Sequence, residues 1–453
     1  MLKFWQFTDT HFFHRDPMPD DPPHSDQKAI LESGEILDMA LRQFIEAPDC
    51  DILLISGDLT CNGHAHEHRA LIEKLRAVQK TGKRVYVITA THDYGLGEID
   101  EENTSGLPVF ERPDCRVFRG DLAELYHEFG FADAIAVYDD GLSYVAQLDD
   151  QTRLFALNDD GNGRSFCGFD EKQMAWILEQ IAQAKADGQY IVGMSHHPSQ
   201  PPSPIYPMIS QRDMMGNWNE NTRALANAGL RCLFTGHAHM HNIAPIVTPE
   251  GNRYWDINTA CLVGYPGVFR TAVVKDGHMT VTTEAIQDTL AEKYGGVPLR
   301  ERLKEIFDFL LRDIIESAAE DLDRLADHAG GFSVERETIY KHGRLFTTVG
   351  KVVNKVTLGT LGKVLLCGKK VPESVRGVKF KDAFLELVRN IYAGEEHYSK
   401  ETDLGKALTA IAGQIPRVFK NHHLPNGGMG SFNALVYALL YDPTPDDRVE
   451  IDL

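Results

Sequence analysis

Long apolar runs are what this sequence lacks most. No uninterrupted apolar stretch approaches the roughly 18 residues that a membrane helix needs, so a soluble chain is expected. The start, Met1-Leu2-Lys3-Phe4-Trp5-Gln6-Phe7, reaches the polar Thr8-Asp9-Thr10-His11 too soon to supply a signal peptide's apolar region. Paired cysteines are missing as well. Cys50, Cys61, Cys115, Cys167, Cys232, Cys261 and Cys367 are odd in number and contain no CxxC pair, which argues against a disulfide framework and for a reducing cytoplasm. Positive charge is scarce: 46 Lys and Arg stand against 66 Asp and Glu, a formal net charge of −20. Such a surface disfavours a nucleic-acid duplex as partner, whereas a small phosphate ester held by cations is less affected. Internal repeats and low-complexity tracts are not evident.

What is present reads as globular. A chain of 453 residues exceeds one ordinary core, and its 43% apolar content supplies enough burial for two. Over residues 1–290 short apolar runs alternate with amphipathic stretches, the pattern of a layered α/β domain. The runs are Leu2 to Phe7, Ile52 to Ile55, Val85 to Ile88, Tyr190 to Met194 and Cys232 to Phe234. Helical spacing marks Ala29 to Ile45, Leu71 to Val78 and Met174 to Ala186. After His241, short strands at 243–247, 253–257, 271–274 and 279–283 are expected to complete a second sheet. From 296 to 453 the texture is mainly helical, beginning with a long helix whose face runs from Leu303 through Ile314 to Leu322 and Leu325. Further helices are expected at about 382–392, 403–413 and 430–441.

The 19 histidines cluster, at His64, His66 and His68, at His196 and His197, and at His237, His239 and His241. The first group reads as a solvated helix start and His241 as structural. Each of the five apolar runs is followed within a few residues by His or Asp: Asp9 and His11, Asp58, His92, His196, and His237 with His239. Ligands bind outside the carboxyl ends of strands in open α/β sheets, so these ends converge on one expected site. Two divalent cations about 3.5–4 Å apart suit phosphate-ester hydrolysis, and they take carboxylates and imidazoles as ligands.

In order, Asp9-Thr10-His11, Gly57-Asp58, Thr91-His92-Asp93, Ser195-His196-His197-Pro198 and Gly236-His237-Ala238-His239 resemble the signature of the calcineurin-like metallophosphoesterase superfamily. The flanks of Asp58 and His196 look most like its bacterial cyclic-nucleotide and glycerophosphodiester phosphodiesterases. The resemblance covers residues 1–285. It implies a four-layered α/β/β/α sandwich and two divalent metal ions, Mn, Fe or Zn. Asp9, His11 and His239 would hold the first, Asp58 would bridge, and His196 and His237 would hold the second. A hydroxide between the metals would attack a phosphodiester or phosphomonoester, the diester leading, with His92 as the catalytic histidine. Glycine before Asp58 and before His237 would let the backbone approach the metals.

Two positions depart from the family pattern. Thr91 stands where the family places an Asn ligand of the second metal; Thr91 itself, Asn158 or Asp159 could fill that place. Cys61 stands where many members carry an Asp that orients the catalytic histidine, a role Asp93 could partly take over. A weakened fold serving as a binder or scaffold is the competing reading. In the helical domain, Lys341 to Lys381 carries ten Lys and Arg against one Glu. That stretch is a solvated face, or, with Leu345, Phe346, Val349, Val352, Val353 and Val356, an anion-binding or membrane-surface patch. Gly350, Gly359 and Gly362 speak against a single helix there.

Overall fold

The computed structural model describes residues 1–16, 27–95, 108–112, 116–138, 142–160, 167–209, 213–330, 336–396, 402–414 and 438–453. They form two compact units, Met1–Gln200 with Arg212–Ile306 and Asp446–Leu453, and Pro201–Gln211 with Phe307–Pro445. The expected boundary at 290–296 thus lies at Ile306, and the final residues, expected in the helical domain, return to the first unit.

The first unit is built on two mixed sheets. One contains β1 (Leu2–Phe7), β2 (Ile52–Ser56), β3 (Arg84–Ile88), β11 (Val268–Lys275), β12 (His278–Ala285) and β13 (Arg448–Asp452) in the order β13-β12-β11-β1-β2-β3. The other contains β4 (Ala134–Tyr138), β5 (Ser143–Asp149), β6 (Thr152–Ala156), β7 (Tyr190–Met194), β8 (Cys232–Thr235), β9 (Asn242–Val247) and β10 (Arg253–Asn258) in the order β4-β5-β6-β7-β8-β10-β9. β1, β2 and β3 are parallel neighbours, as are β6, β7 and β8. The inner faces share one core, in which Phe4, Leu54 and Tyr86 pack with Ala146, Leu154, Val192, Phe234 and Ile257. β2 is buried at every position, as a central parallel strand covered on both faces must be.

Helices cover the outer faces. α1 (Ser33–Glu46) sets Phe44 against Trp5, ring centroids 5.4 Å apart, and α2 (Ala65–Gln79) lies against β3. On the other side α3 (Glu171–Ala186) and α4 (Trp218–Ala228) bury Ile177, Ile181 and Leu225 on Phe155, Ile191 and Leu233. The stack is the expected α/β/β/α sandwich. All five apolar runs are strands, but the strands after His241 do not stay together. β9 and β10 join the second sheet, while β11 crosses to pair antiparallel with β1. Period-2 alternation identifies a strand and its buried face; it does not name the partner.

The long helix is two, α5 (Leu299–Glu320), which begins before the boundary at Ile306, and α6 (Leu322–Gly330) in the second unit. The break is at Asp321, whose Oδ1 accepts from the amides of Asp323 and Arg324, both at 3.1 Å, and so caps a new helix. α7 (Arg336–Lys341), α8 (Gly343–Lys355), α9 (Leu358–Val364), α10 (Phe380–Ala393) and α11 (Asp403–Ala412) follow. Leu358, Ala383, Leu408 and Ile411 form its main core. As the glycines suggested, the basic stretch is not a single helix, although α8 itself runs unbroken through Gly350, whose missing Cβ would stand 2.6 Å from the Ala319 amide nitrogen, so glycine there permits close helix packing. Leu345, Val349 and Val352 are exposed on α8. Most of the expected 430–441 helix lies outside the described residues. Among those described, no helix is long and apolar enough to cross a membrane.

Candidate metal centre

The parallel strands β1, β2, β3, β7 and β8 deliver their carboxyl ends to one place. Asp9 and His11 follow β1, Asp58 follows β2, Thr91 and His92 sit in a single 3-10 turn after β3, His196 follows β7, and His237 and His239 follow β8. The chain turns sharply at these points. Asp9, His11, Asp58, His237 and His239 all adopt left-handed backbone angles, φ between 36° and 62°. Each such residue costs about 1–2 kcal/mol relative to an ordinary conformation. Contacts between the loops hold them there: the Asp9 amide donates to Gly57 O at 3.1 Å and the His11 amide to Asp58 O at 2.9 Å. Gly57, at φ +94°, lies where a Cβ would strike the His196 ring, and a Cβ on Gly236 would strike Thr8 and Asp9.

The side chains converge accordingly. His239 Nε2 is 3.4 Å and His11 Nε2 is 3.7 Å from Asp9 Oδ1, and the two imidazole nitrogens are 3.2 Å apart. Asp58 Oδ2 lies 3.8 Å from His11 Nε2 and 3.3 Å from His196 Nε2, between the two groups of ligands. Donor atoms of Asp58, His196 and His237 cluster, as do those of His11, Asp58 and His92. Asp9 Oδ1, His196 Nε2 and His237 Nδ1 are buried without a hydrogen-bond partner. Buried polar atoms are rarely left so, and converging carboxylate and imidazole lone pairs are what a divalent cation satisfies. The residues fit a cation pair.

Electrostatics fit as well. Burial raises the Asp58 pKa, but His196, His92 and His11 overcome it and hold the carboxyl well below its ordinary range. Burial lowers His196, but Asp58 lifts it to about 9, so without a cation Nε2 carries a proton directed at Asp58, and a cation beside Asp58 would take that proton's place. His11 and His237 are pushed well below the ordinary histidine value, chiefly by burial, and so stand neutral with a free lone pair.

Backbone and side-chain acceptors fix the ring orientations. His196 Nδ1 donates to Ser56 O at 2.7 Å, which turns Nε2 toward Asp58, and His239 Nδ1 meets Gln27 Oε1 at 3.1 Å. His92, exposed at the mouth, donates from Nδ1 to Cys61 O at 2.9 Å and from its amide to Asp58 Oδ1 at 3.2 Å. The missing Asp at position 61 is therefore replaced by the Cys61 backbone carbonyl, not by Asp93. The Asp93 carboxylate accepts instead from the amides of Leu59, Thr60 and Ala90, and burial lifts it to about 7.

Neither suggested replacement for the amide ligand is placed to act. Asn158 spends its amide group on Thr89 O and its Oδ1 on the Asp160 amide. Asp159 accepts from the amides of His196 and His197 and from His197 Nδ1 at 3.3 Å. Among the described residues no hydrogen bond ties the Thr91 hydroxyl to Asp58, His196 or His237. His68 is not a solvated residue: it is fully buried between Tyr126 and the Asp93 carbonyl, and burial lowers it to about 4. His241 is structural as expected, buried against Thr283. Sequence reasoning passed over Gln27, Asp256 and Cys261, none of which sits in a motif. The Cys261 thiol lies near His11 and His239; burial pushes its pKa well up, and it donates to Asp9 O at 3.1 Å.

The calcineurin-like phosphoesterase family profile matches residues 2–241, more than half of the chain, and the chain belongs to that family. No curated protein matches it in sequence. Among solved structures it is similar to a dimetal phosphatase from Danio rerio, 13% identical, covering 63% of this chain and 97% of that one, with TM-score 0.44. PhoD is 9% identical over 62% of this chain and 65% of its own, TM-score 0.38. The phosphopantetheinyl hydrolase PptH from Mycobacterium tuberculosis is 14% identical over 57% and 89%, TM-score 0.30.

Proposed function

We propose that this chain is a phosphodiesterase that works with two divalent cations, Mn, Fe or Zn. The observation that carries the reading is the set of buried polar atoms without a hydrogen-bond partner, Asp9 Oδ1, His196 Nε2 and His237 Nδ1, gathered around Asp58. Asp9, His11 and His239 would hold one cation and His196 and His237 the other, with Asp58 shared. Such a pair supplies positive charge against the phosphoryl oxygens and lowers the pKa of a bound water.

The rest is done by the chain. The hydrogen bond from His92 Nδ1 to Cys61 O fixes that proton, so Nε2 is the atom free to face substrate. There it donates to a phosphoryl oxygen or returns a proton to the departing alkoxide. A diester leads because the residues flanking Asp58 and His196 resemble those of the phosphodiesterase branch. Among the described residues, six buried free cysteines support placing the chain in the reducing cytoplasm. Hydrolysis of bis-p-nitrophenyl phosphate against p-nitrophenyl phosphate, by metal-stripped protein resupplied with Mn²⁺, tests this. Wild type should prefer the diester and Asp58→Ala should be inactive. Preference for the monoester would make the chain a phosphomonoesterase. Inert wild type would favour a binding protein on this fold, the reading that Thr91 in place of an amide ligand supports.

A further inference from the structure

Two loops carry the histidines proposed for the second cation, His196 after β7 and His237 after β8, and both loops are tied to one residue of a third strand. Asp256, on β10, is 1% exposed. Its Oδ2 accepts from the Ser199 amide at 2.6 Å, the Ser199 hydroxyl at 2.6 Å and the Gln200 amide at 3.1 Å, all on the His196 loop. Its Oδ1 accepts from the Thr235 hydroxyl at 2.7 Å, at the root of the His237 loop. The same hydroxyl accepts from Asn258 Nδ2 at 3.0 Å, and that amide also donates to Gly236 O at 2.7 Å, the carbonyl directly before His237. The Gly236 amide in turn donates to His196 O at 2.9 Å.

Among the described residues Asp256 has no cationic partner. A carboxylate buried in that way is an expensive means of stabilising a fold, which a neutral residue would serve better. What it offers is geometry, because two oxygens accepting four donors fix two loops at one spacing. We propose that Asp256, with Thr235 and Asn258, is a positioning brace that sets the distance between His196 and His237 and thereby the affinity of the second cation site. The proposal rests on the two-cation reading of the centre. It gains weight from Thr91, since a site without its amide ligand depends more on the placement of its remaining imidazoles.

The test is Co²⁺ titration of the metal-stripped full chain, followed by calorimetry and by the visible absorption of the bound ion. Wild type should bind two equivalents. Asp256→Asn and the near-isosteric Thr235→Val should keep the wild-type circular dichroism and the first equivalent, while the second weakens about 10–100-fold, the usual cost of losing a residue that orients a ligand. Thr235→Ser, which restores the hydroxyl, should recover it. Two equivalents bound with wild-type affinity and spectrum by both Asp256→Asn and Thr235→Val would overturn the brace while leaving the cation pair intact. Fewer than two equivalents in wild type would overturn both. If Asp256→Asn does not fold, the Thr235→Val and Thr235→Ser pair decides alone.

Discussion

Replacing Gly57 by Ala probes a tight point of the centre. The perturbation is one methyl group, and two costs follow from where it lands. Gly57 sits at φ +94°, outside the regions open to a residue with a Cβ, which costs about 1–3 kcal/mol. The new Cβ also meets the His196 ring. That ring must move off Ser56 O, to which Nδ1 donates at 2.7 Å, forfeiting about 0.5–1.5 kcal/mol more. The sum, about 1.5–4.5 kcal/mol, is a large part of an ordinary folding stability of about 5–15 kcal/mol. Urea denaturation of metal-stripped protein should therefore show the midpoint falling at unchanged slope. Displacing His196 Nε2 from Asp58 should also abolish diester hydrolysis under conditions where the variant is still folded. An unchanged midpoint with unchanged activity would refute the claim that the turn and the histidine compete for this space.

Thr91→Asn restores the amide that the family pattern places beside His92, and it should tighten the second Mn²⁺ equivalent and raise turnover; no change in either would mean that position 91 does not face the cation. Burial lifts the Asp256 carboxyl to about 6 from its ordinary 3.8, so the folded chain holds that proton more tightly than the unfolded chain. The group's contribution to stability is then complete below about pH 3.8 and is lost as the pH rises through about 6, while its neighbour Tyr254 stays protonated throughout. Between about pH 4 and about pH 7 the stability of metal-stripped wild type should fall relative to Asp256→Asn by roughly 3 kcal/mol, and a flat difference across that window would contradict the buried charge. If the basic stretch that includes α8 meets an anionic membrane, the full chain should sediment with phosphatidylserine vesicles at low salt and leave them at high salt; no binding at low salt ends that reading.

Much of this centre was legible in the linear order of residues, because strand ends in a parallel sheet share one edge. A short apolar run followed by Asp or His places that side chain at the edge whatever the partner strands are, and this holds for Asp9, Asp58, His92, His196 and His237 alike. Helix spacing likewise located α1, α2 and α3 by the faces they bury. The sequence by itself thus determined the α/β class, the family and the Asp and His residues that gather at the strand ends. Tertiary structure decided what depends on contacts between distant segments. It sent β11 to β1 and brought Arg448–Asp452 back as an edge strand, since alternation specifies a face and not a neighbour. It oriented His92 through a backbone carbonyl, which no side-chain motif records. It also set Asp256 between two histidine loops, about 20 and 60 positions away in the chain, because a buried carboxylate must take its donors from whatever backbone the fold brings to it.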